Sequence, residues 1–224
     1  FNYITLSKYM FLTIKKIPKN YWSSKKPLNL KPKALTIFYL ILGLTIFGLG
    51  EGLLIVSYSG ASPWSVLAQG ISLNVNLSIG VVTFIVSVCT LSLWFFLKQK
   101  PGIGTLFNII IIAAMIDLTI YCFVTPETYF GKLTMAVLAV LLVGIGSGFY
   151  LIANLGPGPR DGLMTGIQRI TNFPIASVRA GIEITVVSIG WYLGGTVGVG
   201  TILFAFGIGP AVAFGLYLVG KFFN

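Results

Sequence analysis

Residues 156–166 read GPGPRDGLMTG: two prolines, four glycines and an Arg160-Asp161 pair set between two long apolar runs. The stretch is too polar and too interrupted for a plain transmembrane helix. Glycine permits positive φ and close backbone approach, and proline presets φ at a helix start. The residues after Pro159 therefore read as a short helix whose free N–H groups face back toward the bend. That end carries partial positive charge and Arg160 adds a full one, a setting suited to an anion or to the anionic part of a solute. The alternative is a turn that only connects helices.

The stretch has a counterpart. At an offset of 96 residues, Gly60-Ala61-Ser62-Pro63-Trp64 aligns without a gap on Gly156-Pro157-Gly158-Pro159-Arg160. Gly48, Gly50, Gly52, Gly60, Gly70, Gly102 and Gly104 fall on Gly144, Gly146, Gly148, Gly156, Gly166, Gly198 and Gly200, seven of the eight glycines between residues 47 and 108. With 27 glycines in 224 residues, about one such match is expected by chance. Pro63 and Pro159, Asn76 and Asn172, and Thr105 and Thr201 align as well. The chain is an internal duplication.

Composition sets the class. The chain is 56% hydrophobic and 9% charged, with a mean hydropathy of +0.93, values expected of a polytopic membrane protein. Cys89 and Cys122 lie inside apolar runs and imply no disulfide framework. Histidine is absent, which excludes imidazole metal sites and histidine-based catalysis. No nucleophile–base pair or metal-ligand set occurs at a usable spacing, so neither an enzyme, a metal nor a cofactor is expected. The net charge of +10 does not point to nucleic acid, because Lys8, Lys15, Lys16, Lys19, Lys25, Lys26, Lys31 and Lys33 all precede the first apolar segment. Such a run sets topology and touches anionic lipid headgroups. With Phe1, Tyr3, Tyr9, Phe11, Tyr21 and Trp22 interleaved, residues 1–33 read as a cytoplasmic arm lying at the interface. They lack the small-residue cleavage pattern of a signal peptide.

Six segments are long and apolar enough to span, at about 35–57, 78–97, 104–124, 133–153, 174–193 and 200–220. With both termini cytoplasmic, Lys98, Lys100, Arg160, Arg169 and Lys221 all fall inside. The expected fold is all-α, with six transmembrane helices in two repeats, 34–126 and 127–224. Three spans per repeat turn the second copy upside down. The segment at 60–70 then dips in from outside and 156–166 from inside, and such paired broken segments point to a midplane solute site in secondary transporters. Ser62, Trp64, Ser65 and Gln69 on the first and Arg160 and Asp161 on the second are the candidate solute contacts.

Four charges fall within expected spans, where an ionisable group is costly and faces a partner or a wet path. Arg179 and Glu183 share a helix face; they are candidate solute contacts or a self-satisfying ion pair. Glu51, in the run Gly48-Leu49-Gly50-Glu51-Gly52, and Asp117 are the candidate coupling charges, with backbone hydrogen bonding or arginine pairing as the alternatives. Trp64 aligns with Arg160 and is otherwise an interfacial belt residue.

The stretches GLGEGLLIVSYSGASPWSVLAQGIS, KPGIGTLFN, MIDL, GPGPRDGLMTG, VRAGIE and GWYLGGTVGVGTILFAFGIGP resemble the YczE-like bacterial integral membrane proteins and, more distantly, YitT-type proteins. The resemblance covers about residues 35–217 and implies a six-span protein of the bacterial inner membrane, with transport as the activity usually supposed. Such proteins often carry an acidic residue after the SPW, where this chain has Ser65, so the acidic pair with Asp161 is absent. Two functions follow from different classes: a secondary transporter of a small, anionic solute, or a non-transporting accessory or scaffold whose lysine arm docks a soluble partner or lipid; a homo-oligomer or a membrane partner is compatible with either.

Overall fold

The computed structural model describes residues 17–223. All regular structure among them is helical: α1 (Ala34–Val56), α2 (Pro63–Val75), α3 (Ile79–Leu93), α4 (Ile103–Cys122), α5 (Tyr129–Ala153), α6 (Pro159–Thr171), α7 (Ile175–Tyr192) and α8 (Val199–Phe222). The helices recur at the offset of the glycines. α2 and α6 have 13 residues each and begin 96 apart, and so do α3 and α7, and α4 and α8.

Local chemistry sets these boundaries. Pro63 and Pro159 are the first residues of α2 and α6, where a missing N–H costs nothing. Left-handed Asn76 and Asn172 close them, with φ of 54° and 58°. Gly60 and Gly156 take φ of 119° and 112° in the preceding bends, a region that other residues rarely enter. At about 1.5 Å per residue, a 13-residue helix reaches roughly 20 Å, short of the ~30 Å of a hydrocarbon core.

The core is built by close backbone approach. α1 packs on α5, and α5 on α8, through glycines that leave no room for a side chain. A Cβ at Gly50 would lie 2.7 Å from the Ala139 carbonyl oxygen, and one at Gly148 would lie 2.5 Å from that of Gly215. The two repeats also exchange ends. The Gly104 N–H donates to the Leu155 carbonyl in the second bend, and the Gly200 N–H donates to the Ser59 carbonyl in the first, both at 2.8 Å. Each broken segment is thus held in place by the last helix of the other repeat.

Among the described residues, length and composition admit four to five of the six spans expected. Four helices, α1, α4, α5 and α8, are long and apolar enough to cross a membrane; α2 and α3, bent by 114°, count together as a fifth at most. α3 has only 15 residues because the chain leaves the helix at Trp94, whose indole N–H donates to the Pro159 carbonyl at 3.0 Å. α7 carries Arg179 and Glu183 within its 18 residues.

Lys8, Lys15, Lys16, Phe1, Tyr3, Tyr9 and Phe11 lie outside the described residues. Trp22, expected at the interface, is instead wholly buried. Its indole N–H donates to the Phe223 carbonyl at 2.7 Å, its carbonyl accepts from the Thr36 hydroxyl, and its ring packs 4.5 Å from that of Tyr39. Asn20 adds a bond to the Val219 carbonyl at 3.1 Å. The end of the arm therefore ties α1 to the end of α8.

Candidate functional site

Glu51 stands on α1, one turn and a half before its end, and is completely buried. Its Oε2 accepts from the hydroxyls of Ser62 and Ser65, each at 2.6 Å. Those serines belong to the N-cap and first turn of α2, so the carboxylate rests at the positive end of that helix. Its Oε1 faces the other broken segment: Arg160 Nη1, in the first turn of α6, lies 3.9 Å away. The starts of α2 and α6 meet across one carboxylate.

Around this meeting point lies a cavity of about 300 Å³, lined among others by Glu51, Trp64, Arg160, Asp161, Arg179 and Glu183. Six of the ten residues singled out from the sequence are therefore brought together. The Arg160 guanidinium carbon sits 5.3 Å from the centre of the Trp64 ring, a cation–π contact between residues related by the 96-residue offset. Trp64 is 7% exposed, a cavity residue within the described fold. Arg179 and Glu183 pair at 2.8 Å through Nε and Oε1.

The remaining four have other places. Ser62 and Ser65 hold Glu51 and do not line the cavity. Gln69 accepts from the Thr196 N–H at 3.2 Å and ties α2 to the loop before α8. Asp117 accepts from the Ser78 hydroxyl at 2.5 Å and from the Gly80 N–H at 2.7 Å, which anchors the start of α3.

Asp161 acts differently from the cap that its position in the first turn of α6 suggests. The cap residue of α6 is Gly158, which has no side chain to offer. The hydroxyl of Tyr150 on α5 donates to Asp161 Oδ2 at 2.5 Å and accepts from the Gly158 N–H at 3.2 Å. Tyr150 therefore holds the second bend. Sequence reasoning passed over Tyr150 because a neutral aromatic at the end of an apolar helix carries no charge signal. It also missed Asn108, Thr83, Ser87 and Ser147 on the cavity wall. Ser147 could have been found, since it falls 96 residues after Glu51.

Two buried polar side-chain atoms have no hydrogen-bond partner among the described residues: Glu51 Oε1 and Trp64 Nε1. The Arg160 guanidinium, on a half-buried side chain, stands beside them with Nη1 3.9 Å from Glu51 Oε1, and Asp161 and Glu183 line the same cavity. Unsatisfied buried groups are costly, and here both belong to residues of the cavity that Arg160 also lines. No cluster of metal-ligating side chains occurs among the described residues.

The family described as "Family of unknown function (DUF6198)" matches residues 34–216, the whole of both repeats up to the last turns of α8. An uncharacterized protein of Haemophilus influenzae is 38% identical over 208 residues, covering 93% of this chain and 94% of its own. The uncharacterized membrane protein YczE of Bacillus subtilis is 34% identical over 176 residues, covering 78% of this chain and 82% of its own. The uncharacterized protein YyaS of the same organism is 28% identical over 174 residues, covering 74% and 84%. No solved structure matches. The YczE-like resemblance is borne out, and with it the membrane setting of the apolar helices.

Proposed function

The chain belongs to the DUF6198 family of membrane proteins, and from that premise we propose that it is a secondary transporter for a small solute carrying an anionic group. The observation that carries this reading is the set of unmet polar groups on one cavity. Glu51 Oε1 and Trp64 Nε1 are the unmet groups, and with the half-buried Arg160 guanidinium they lie where the starts of two broken helices converge. A packing device would satisfy its buried polar groups internally; a solute site leaves some of them for the ligand. Positive helix ends and Arg160 supply the attraction for the anionic group.

In this reading the α2–α3 pair is one span and α7, whose Arg179 and Glu183 line the cavity, is a further one beyond those that length and hydropathy admit, so that each repeat crosses the bilayer three times. An odd number inverts the second repeat, so α2 enters from the outer side and α6 from the inner. The contact between Trp64 and Arg160 fits a two-fold axis relating the repeats, since residues equivalent by the offset touch each other only near such an axis, and it is compatible with either direction of that axis. Alternating access would rock one half against the other around the Glu51–Arg160 meeting point.

A metabolite stabilisation screen of the purified protein tests the reading. A ligand of the folded state raises its melting temperature by mass action. Anionic metabolites should stabilise the wild type and not Arg160→Gln. An Arg160→Gln protein that keeps the full response would remove the guanidinium from the site. A wild type that answers no metabolite would turn the account toward the scaffold.

A further inference from the structure

The charges around the cavity do not describe a site for a simple anion. Three carboxylates, Glu51, Asp161 and Glu183, face two guanidiniums, Arg160 and Arg179. Asp161 accepts from Tyr150, and Arg179 pairs with Glu183 through Nε. What remains open is mixed in sign. Arg160 and the indole N–H of Trp64 are donors, and Glu51 Oε1 is an anionic acceptor only 3.9 Å from Arg160. A ligand bearing an anion alone would answer the donors but compete with the Glu51 carboxylate for Arg160 and stand beside it, an expensive arrangement in a weakly screened interior. A ligand bearing a cation alone would meet Glu51 and face the guanidinium.

Both are answered by a molecule that carries an anion and a hydrogen-bonding cation side by side. An α-amino acid holds its ammonium and carboxylate on one carbon, which suits two groups a few ångströms apart. The rest of the cavity indicates the side chain, since Phe47, Ile112, Val143, Met164, Phe204 and Ile208 make most of the remaining wall, with Thr83, Ser87, Asn108 and Ser147 between them. A volume of about 300 Å³ lies at the small end of ligand pockets and excludes bulky conjugates.

We propose that the solute is an α-amino acid with an apolar side chain. Its carboxylate lies on Arg160 and the Trp64 indole N–H, its ammonium on Glu51 Oε1, and its side chain against the apolar wall. This rests on the cavity being the solute site. Ser62 and Ser65 are positioning residues that aim the carboxylate of Glu51, and Glu51 is the residue that separates amino acids from plain acids.

The test is a set of titrations on the purified full chain, each followed by thermal stabilisation. The probes are L-leucine, L-phenylalanine, 4-methylpentanoate (leucine without its amine) and 3-methylbutylamine (leucine without its carboxylate). Leucine or phenylalanine should bind at least about 30-fold more tightly than either truncated probe, because each truncation leaves one buried charge unpaired. In Glu51→Gln the preference for leucine over 4-methylpentanoate should collapse. If that variant does not fold, the Glu51→Gln/Arg160→Gln double variant, which leaves no lone charge, should fold and lose leucine binding. Equal binding of 4-methylpentanoate and leucine by the wild type would overturn the amino-acid proposal and leave the anion-transport reading standing. Binding of the amine alone would overturn both. No response to any of the four, from a preparation that answers another metabolite, would refute the amino-acid class only.

Discussion

Tyr150 organises the second bend by a single hydroxyl, which donates to Asp161 and receives the Gly158 N–H. Tyr150→Phe leaves that buried N–H without an acceptor and Asp161 without its donor. The expected loss is about 1–3 kcal/mol, read as a lower melting temperature in detergent, whereas Asp161→Asn should retain most of the stability, since an amide oxygen still accepts. A Tyr150→Phe protein as stable as wild type would mean that the bend is held by the Leu155 and Pro157 carbonyl bonds to α4 alone. Arg179 and Glu183, paired at 2.8 Å on one face of α7, call for a different comparison. Replacing both by leucine should destabilise less than replacing either alone, because a single change strands a charge on the cavity wall. Single and double variants that fold normally and lose solute binding equally would give each group a direct part in recognition.

At the scale of the helix, the short elements depend on how closely they approach their neighbours. A Cβ at Gly162 on α6 would lie 1.9 Å from the Trp94 ring, whose indole N–H holds the start of that same helix. Gly162→Ala should therefore push α6 away from α3 and cost about 1–3 kcal/mol. Gly181→Ala on α7, with nothing within 4 Å, should be neutral or gain up to ~1 kcal/mol from better helix propensity. Thermal melts of the two variants side by side check the contrast. Glycine and proline were what made these elements readable from sequence, because each makes a demand on the backbone that survives duplication. Hence the start of α6 is legible at Pro159, Pro63 and Trp64 follow from it by the 96-residue offset, and Glu51 is legible as a charge within an apolar run. Side-chain partnerships were not readable in that way. The Tyr150 bridge, the burial of Trp22 against Phe223 and the anchoring of α3 by Asp117 depend on distant segments meeting. The early end of α3 at Trp94 likewise follows from a contact with α6, which hydropathy does not encode.

For the whole molecule, the two repeats are interlocked: α4 holds the bend of the second repeat and α8 that of the first. Such an exchange ties each bend to a helix of the other half by a backbone hydrogen bond. The account depends above all on α2 and α6 entering from opposite sides of the bilayer to meet at Glu51. Tyr58 and Asn154, the left-handed residues that open the two bends 96 residues apart, report this directly. In a background with Cys89 and Cys122 replaced by serine, Tyr58→Cys and Asn154→Cys would be exposed in turn to a membrane-impermeant thiol reagent on intact cells and on inverted vesicles. The account predicts labelling of Tyr58→Cys on intact cells only and of Asn154→Cys on inverted vesicles only. Labelling of both from the same side would contradict the inversion, and with it a solute site reached alternately from the two faces.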